Sequence, residues 1–184
     1  YCVNFLRYGI PRLANFQRYF PGMSLNDSLV AAQKEMRGTF SWDDVAMYRQ
    51  LWKKPLVLKG ILNPADAERA LAIGVDGLWV SNHGGRQIEA LPAPIDILPS
   101  IVATARGRAK VFYDSGVRSG EDAVRAIALG ADLVWAGKAF LWSLGALGDR
   151  GPDHALDLFI DEIRAAMGQI GAKTFDEEIG RAHV

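Results

Sequence analysis

The sequence predicts an α/β fold in which a parallel sheet alternates with helices. Four short runs, apolar until their C-terminal ends, are each followed by a helical pattern: Leu56–Gly60, Gly77–Asn82, Lys110–Ser115 and Leu133–Gly137. Such runs suit strands covered on both faces. There is also an internal echo. Ala72-Ile73-Gly74-Val75-Asp76 precedes the second strand, and Ala128-Leu129-Gly130-Ala131-Asp132 precedes the fourth. Both read as a helix C-cap that feeds a strand through a short loop. Strands joined only by helical crossovers run parallel, with the helices outside them. A small open sheet and part of a (β/α)8 barrel both satisfy this pattern, and element counts alone leave both open.

The elements follow in order. The first 20 residues hold six aromatics, three arginines and no acid. A short helix is expected over Val3–Tyr8, stopped by Gly9 and Pro11. A second helix runs from a Ser24 cap to Met36, with Leu25, Leu29, Ala32 and Met36 on one face. A third starts at Ser41, where Asp43 and Asp44 suit the positive end of the helix dipole, and Trp42, Val45, Tyr48 and Trp52 keep helical spacing. Residues 1–40 therefore form a helical, aromatic loop segment, and residues 41–184 carry the alternating strands and closing helices. After the first strand, Asn63 caps a helix with Pro64 at its first position, reading Ala65–Ile73 and stopping at Gly74. Helices are expected across Pro94–Arg106 and Ser119–Leu129 after the second and third strands. Ala139–Leu147 and Asp153–Ile170 close the chain.

Composition bounds the function. The 184 residues carry 21 Lys+Arg against 21 Asp+Glu, with one Cys and three His. Zero net charge argues against a dedicated nucleic-acid binder. A single cysteine, Cys2, excludes an internal disulfide and any thiolate cluster, and the scattered histidines give no metal-ligand motif. His154, His183 and the Glu177-Glu178 pair read as solvated. No apolar run approaches the roughly 18 residues of a membrane span.

Chemistry collects at the strand ends, where parallel α/β folds place their sites. The first strand ends in Lys59, the second in Ser81-Asn82-His83, the third in Asp114-Ser115-Gly116 and the fourth in Gly137-Lys138. Lys59 offers a fixed positive charge to an anionic ligand or intermediate. His83 is followed by two glycines, which let a ligand approach the backbone, and by Arg86. One loop thus offers a base tuned near physiological pH and a two-pronged carboxylate clamp. The turn Asp114-Ser115-Gly116-Val117-Arg118 leads into a helix N-terminus, and Gly137-Lys138 repeats the arrangement. Each is an anion site of the kind that barrels build for phosphate.

These stretches, taken as Leu58-Lys59-Gly60, Ser81-Asn82-His83-Gly84-Gly85-Arg86-Gln87, Asp114-Ser115-Gly116-Val117-Arg118 and Gly137-Lys138-Ala139-Phe140, resemble the FMN-dependent α-hydroxy acid oxidase and dehydrogenase family. The resemblance covers roughly Thr39–Ile170. The opening segment Asn4–Phe16 looks most like the mandelate dehydrogenases within it. The resemblance implies a (β/α)8 barrel of which this chain supplies the last four βα units. It implies FMN as cofactor and a 2-hydroxy acid as substrate, mandelate- or lactate-like, oxidised to the 2-oxo acid. Lys59 would face the N1/O2 edge of the flavin, and Ser81 would lie near it. His83 would be the base and Arg86 would hold the substrate carboxylate. Asp114 and Arg118 would contact the ribityl and phosphate portion, and Gly116, Gly137 and Lys138 would belong to the cofactor site. The family usually has Arg where this chain has Lys138, so the charge is kept and the guanidinium fork is lost. Hydride transfer and a carbanion route both stay open, as do oxygen, a quinone or a cytochrome as electron acceptor.

In this family four more strands precede these motifs. The chain, which opens on Tyr1, is therefore expected to be a fragment, or to have its N-terminal half as a separate or cleaved piece. On the alternative reading it is a non-catalytic, phosphate-binding half-barrel until that half joins it. A homo-oligomer in the cytoplasm is expected. The basic, aromatic residues 1–20 suit a peripheral contact with the inner membrane face.

Overall fold

The structure is a computed structural model that describes residues 6–7, 9, 15, 18–35 and 40–177. Most of the expected Val3–Tyr8 helix, its stop at Pro11, and Cys2, Met36, Glu178 and His183 lie outside the described residues. The chain divides into two compact units, Tyr1–Asp44 and Val45–Val184.

In the first unit, helix α1 (Leu25–Glu35) starts where its cap predicts. The Ser24 hydroxyl accepts from the Asp27 amide at 3.2 Å and donates to the Asp27 carboxylate at 2.6 Å. Its buried stripe differs from the expected one. Ser28 and Ala32 are buried, while Leu29 is 46% exposed. Ser28 is tolerated there because its hydroxyl bonds back to the Ser24 carbonyl at 2.8 Å. Helix α2 (Trp42–Leu51) starts on a reciprocal cap. The Asp44 carboxylate accepts from the Ser41 amide, and the Ser41 hydroxyl accepts from the Asp44 amide.

The second unit holds four strands: β1 (Val57–Lys59), β2 (Gly77–Val80), β3 (Lys110–Tyr113) and β4 (Leu133–Val134). Their intervening helices are α3 (Pro64–Ile73), α4 (Pro94–Ala105) and α5 (Gly120–Ala128), followed by α6 (Lys138–Leu147) and α7 (Gly151–Ile170). All pairings are parallel and the order is β1-β2-β3-β4, without reversal. That order separates the two architectures left open by the sequence. A doubly wound sheet reverses direction and covers both faces, whereas successive right-handed crossovers in one direction put every helix on one face. Burial agrees. Leu78, Val80, Val111 and Tyr113 are at most 4% exposed on the helical face, with Leu98, Ile101, Ala67 and Ala126 packed behind them. On the other face, Val57, Leu133 and Trp135 are 39%, 44% and 49% exposed. The expectation that each strand is covered on both faces therefore holds for one face only.

The caps are legible. Asn63 Oδ1 accepts from the Ala65 amide at 2.9 Å, with Pro64 in the first turn, and Gly74 closes α3 at φ 90°. The echoed aspartates do more than end a loop. Asp76 Oδ2 accepts from the Leu56 amide, and Asp132 Oδ2 from the Val111 amide, each at 2.8 Å. Each Asp thus staples the start of the preceding strand. The Leu56 amide, followed by Arg49, holds the Asp76 carboxyl below its ordinary pKa.

Gly120 opens α5 against α7. A Cβ there would stand 2.5 Å from the Phe159 carbonyl oxygen and 2.6 Å from the Ile163 amide nitrogen. These are backbone atoms of a 20-residue helix and cannot swing aside. Gly120→Ala is expected to cost about 2–3 kcal/mol, read as a lower denaturation midpoint. An unchanged midpoint contradicts the close packing.

Candidate functional site

The strands end in the order the sequence sets, but earlier. β2 stops at Val80, β3 at Tyr113 and β4 at Val134, so Ser81–Asn82, Asp114–Ser115 and Trp135–Gly137 lie in turns. Those turns and the end of β1 enclose one cavity of about 640 Å³. Lys59, His83, Arg86, Asp114, Gly116, Arg118, Gly137 and Lys138 all line it. Ser81 does not. It is 2% exposed and sits behind the wall, where its hydroxyl accepts from Lys59 Nζ at 2.6 Å and from the His83 amide at 3.1 Å.

Lys59 and Asp114, given separate tasks by the sequence, are paired at 2.9 Å. Parallel register brings the ends of β1, β2 and β3 side by side, so residues 55 positions apart meet across Ser81. Burial pushes the Asp114 carboxyl up. Hydrogen bonds from Ser81, Lys59 and Ser115, with the Lys59 charge, outweigh it and hold the pKa below the ordinary 3.8. A depressed carboxylate contributes stability that is full above its unfolded value and is lost as pH falls through the folded value. The stability gap between wild type and Asp114→Asn is therefore expected to shrink as pH drops below about 4. Denaturant melts across that range check this, and a constant gap contradicts the pairing.

The His83 loop has an unusual backbone. His83, Gly84 and Gly85 are all left-handed, with φ of 58°, 66° and 74°. The glycines take this freely, whereas a non-glycine residue pays about 1–2 kcal/mol. The loop's three amides are already taken by side-chain oxygens: His83 by Ser81, Gly84 by Ser115 and Gly85 by Asn82. The loop therefore offers a ligand no free amide at these three positions, although a Cβ on Gly85 would meet nothing within 4 Å. Both functional side chains point outward as exposed groups. Gln87 Nε2 lies 3.2 Å from His83 Nδ1, so the Gln87 amide holds one edge of the ring. No carboxylate among the described residues pairs with Arg86.

The two expected anion turns differ. The N-terminus of α5 is filled by acids from α5 and α7. Asp122 accepts from the Arg118 and Ser119 amides, and Glu162 from the Gly120 amide at 2.6 Å. That helix end therefore offers an incoming anion little, which corrects the expectation placed on its dipole. The N-terminus of α6 has no side-chain cap, and a Cβ on Gly137 would meet nothing within 4 Å. Lys138 begins α6 and donates to the Gly84 carbonyl at 2.7 Å. Arg118 lies over the Trp142 ring, 5.6 Å from its centroid. Two cations and an open helix start share this end of the cavity.

Sequence reasoning missed the aromatic wall. Trp79 and Trp135 stack at 5.2 Å, both line the cavity, and Lys59 Nζ stands 5.1 Å over Trp79. Strand alternation held the signal, because Trp79 pairs in register with Lys59 and so faces the same side. The Trp79 indole nitrogen is buried with no hydrogen-bond partner among the described residues. Among those residues no cluster of three or more His, Cys, Asp or Glu could hold a metal. Among the described residues no helix is long and apolar enough to cross a membrane.

Comparison with known proteins agrees with this geometry. The sequence pattern of the FMN-dependent dehydrogenases matches residues 12–184. The L-lactate dehydrogenase of Bartonella tribocorum is 46% identical over 139 residues, covering 76% of this chain and 36% of that protein. The 2-hydroxyacid oxidase 1 of Mus musculus is 44% identical over 135 residues, covering 73% of this chain and 36% of that protein. Among solved structures, the monotopic membrane protein (S)-mandelate dehydrogenase superposes with a TM-score of 0.89 at 36% identity, covering 98% of this chain and 48% of that one. A mandelate oxidase bound to (S)-2-phenylpropionate gives 0.72 at 40% identity, covering 77% and 42%. The match thus spans little more than a third of the two curated relatives' length. With the unreversed strand order, these likenesses make the four βα units part of a (β/α)8 barrel. The chain belongs to the family of FMN-dependent dehydrogenases.

Proposed function

We propose that the protein carrying this chain oxidises a 2-hydroxy acid to the 2-oxo acid, with His83 as base and Arg86 as carboxylate clamp. The observation that carries the reading is that His83 and Arg86 share one loop over a cavity that Arg118 and Lys138 also line. The residues fit FMN. The two cations and the uncapped start of α6 suit a phosphate. The Trp79–Trp135 wall suits a ring system, and the unpartnered Trp79 indole N–H offers it a donor. FMN, when bound, supplies the two-electron acceptor.

The chain's own groups do the rest. The Arg86 guanidinium holds the substrate carboxylate by paired charge-assisted hydrogen bonds and so fixes which carbon faces the reaction. His83 takes one proton as R–CH(OH)–COO⁻ becomes R–CO–COO⁻. FMN, if bound, would take up the two electrons and the second hydrogen. Lys59 keeps a positive charge at the ring end of the cavity, and its bond to Asp114 holds that ammonium in place. Anaerobic mixing of the FMN-loaded protein with glycolate, lactate and mandelate tests the reading. Bleaching by at least one is expected, and bleaching by none overturns it.

A second reading concerns the 184 residues by themselves. Val57, Leu133 and Trp135 leave the non-helical sheet face apolar and exposed, so this segment alone is proposed to be inactive until further chain covers that face. A monomeric 184-residue polypeptide that binds FMN and is bleached by substrate would refute it. We also propose that residues 1–20, with charge +3 and six aromatics, rest on a membrane surface. Failure to sediment with anionic liposomes would remove this.

A further inference from the structure

We propose that Ser115 is a positioning residue for the catalytic loop, fixing the Gly84 peptide, and that Lys138 completes the clamp from the other side; this rests on the function proposed for His83 and Arg86. Ser115 is non-glycine yet holds φ at 81°. A glycine would adopt that conformation freely, so the serine is kept there against a backbone preference. What the side chain gains is plain from its bonds. The Ser115 hydroxyl donates to Asp114 Oδ1 at 2.7 Å, which leaves its lone pairs to accept from the Gly84 amide at 3.0 Å. Its carbonyl accepts from the Tyr113 hydroxyl at 2.8 Å. Burial, helped by Asp122, Asp114 and Asp96, pushes the Tyr113 phenol up to about 12, so it stays a donor.

The loop's other amide acceptors, Ser81 and Asn82, belong to the loop's own turn, with Ser81 in turn held by Lys59, whereas Ser115 reaches a loop amide directly from another strand end. Ser115 comes from the end of β3 and Lys138 from the end of β4. Together they hold the N–H and the C=O of one residue, Gly84, directly between His83 and Gly85. Releasing that peptide frees a left-handed run to relax, and His83 and Arg86 move with it. Lys138 also stands among the cations of the proposed phosphate site, so the clamp ties that site to the catalytic loop.

The test compares wild type, Ser115→Gly and Ser115→Ala as FMN-loaded holoproteins. Glycine suits the native φ, so Ser115→Gly removes the hydroxyl without adding strain and keeps the fold. Both variants are expected to lose about tenfold in kcat/KM for flavin reduction, the scale of one lost hydrogen bond. Amide exchange across His83–Gly85 should rise by a similar factor, with FMN affinity unchanged. Lys138→Met should raise the same exchange, and Lys138→Arg should restore protection. A rate within twofold of wild type overturns the proposal, as does a slowed rate without faster exchange. Exchange is read without substrate. A wild type inert to every 2-hydroxy acid would therefore defeat the function reading, while an active wild type with an unaffected Ser115→Gly would defeat only the clamp.

Discussion

His83→Ala is expected to lower the rate of flavin reduction by about 10²–10⁴-fold, the range for removal of a general base, while FMN stays bound. The cofactor contacts proposed here come from Trp79 in β2 and from the ends of β1, β3 and β4, and the His83 ring is not among them. Its ring is exposed and hydrogen-bonded only to Gln87 among the described side chains, so its loss leaves no cavity and breaks no buried bond. Rapid-mixing absorbance with saturating substrate checks the rate, and the visible flavin spectrum checks occupancy. Retained reduction would refute the base assignment. Loss of the flavin itself would place His83 in the cofactor site instead.

Arg86→Ala is expected to act through binding. A guanidinium that forks onto a carboxylate gives two charge-assisted bonds, and their loss is expected to cost kcat/KM about 10²–10³-fold. Much of that should appear in KM, because the substrate is no longer anchored, and the rest in kcat, because it is misaligned. No described carboxylate competes for Arg86, so the clamp is open to an incoming acid. Arg86→Lys should recover charge but not the fork, and so only part of the rate. Steady-state kinetics with one acid across the three proteins separates these terms. Unchanged constants in Arg86→Ala would contradict the clamp.

Much of the fold was legible because it rests on local signals. Asn63-Pro64, Ser24, Ser41 and Ser119 each start a helix for reasons carried in a few adjacent residues. The four apolar runs gave the strands, and their polar ends gave eight of the nine residues named for the site that line one cavity. What escaped depends on register and on distant partners. That Lys59 meets Asp114 follows from three strands pairing in step, which no spacing rule reveals. That the α5 N-terminus is closed to anions follows from Glu162, 42 residues away. Ser81 is expected beside the cofactor, yet it lies in the turn after β2, 2% exposed, where Lys59 and the His83 amide take its hydroxyl. Helical period predicts Leu29 inward, yet the small residues Ser28 and Ala32 take the buried stripe. The Trp79–Trp135 stack follows in part from alternation, which sets Trp79 on the same side as Lys59.

The most direct test of the central claim sets a 2-hydroxy acid against its own methyl ester on the FMN-loaded protein, under anaerobic conditions, with the flavin band as readout. The claim joins two statements: that the cavity oxidises a carbon bearing a hydroxyl, and that it finds this carbon through the neighbouring carboxylate. Bleaching by the free acid and little or none by the ester is the predicted result, with the difference abolished in Arg86→Ala. Equal bleaching by acid and ester, or none by either, would contradict it.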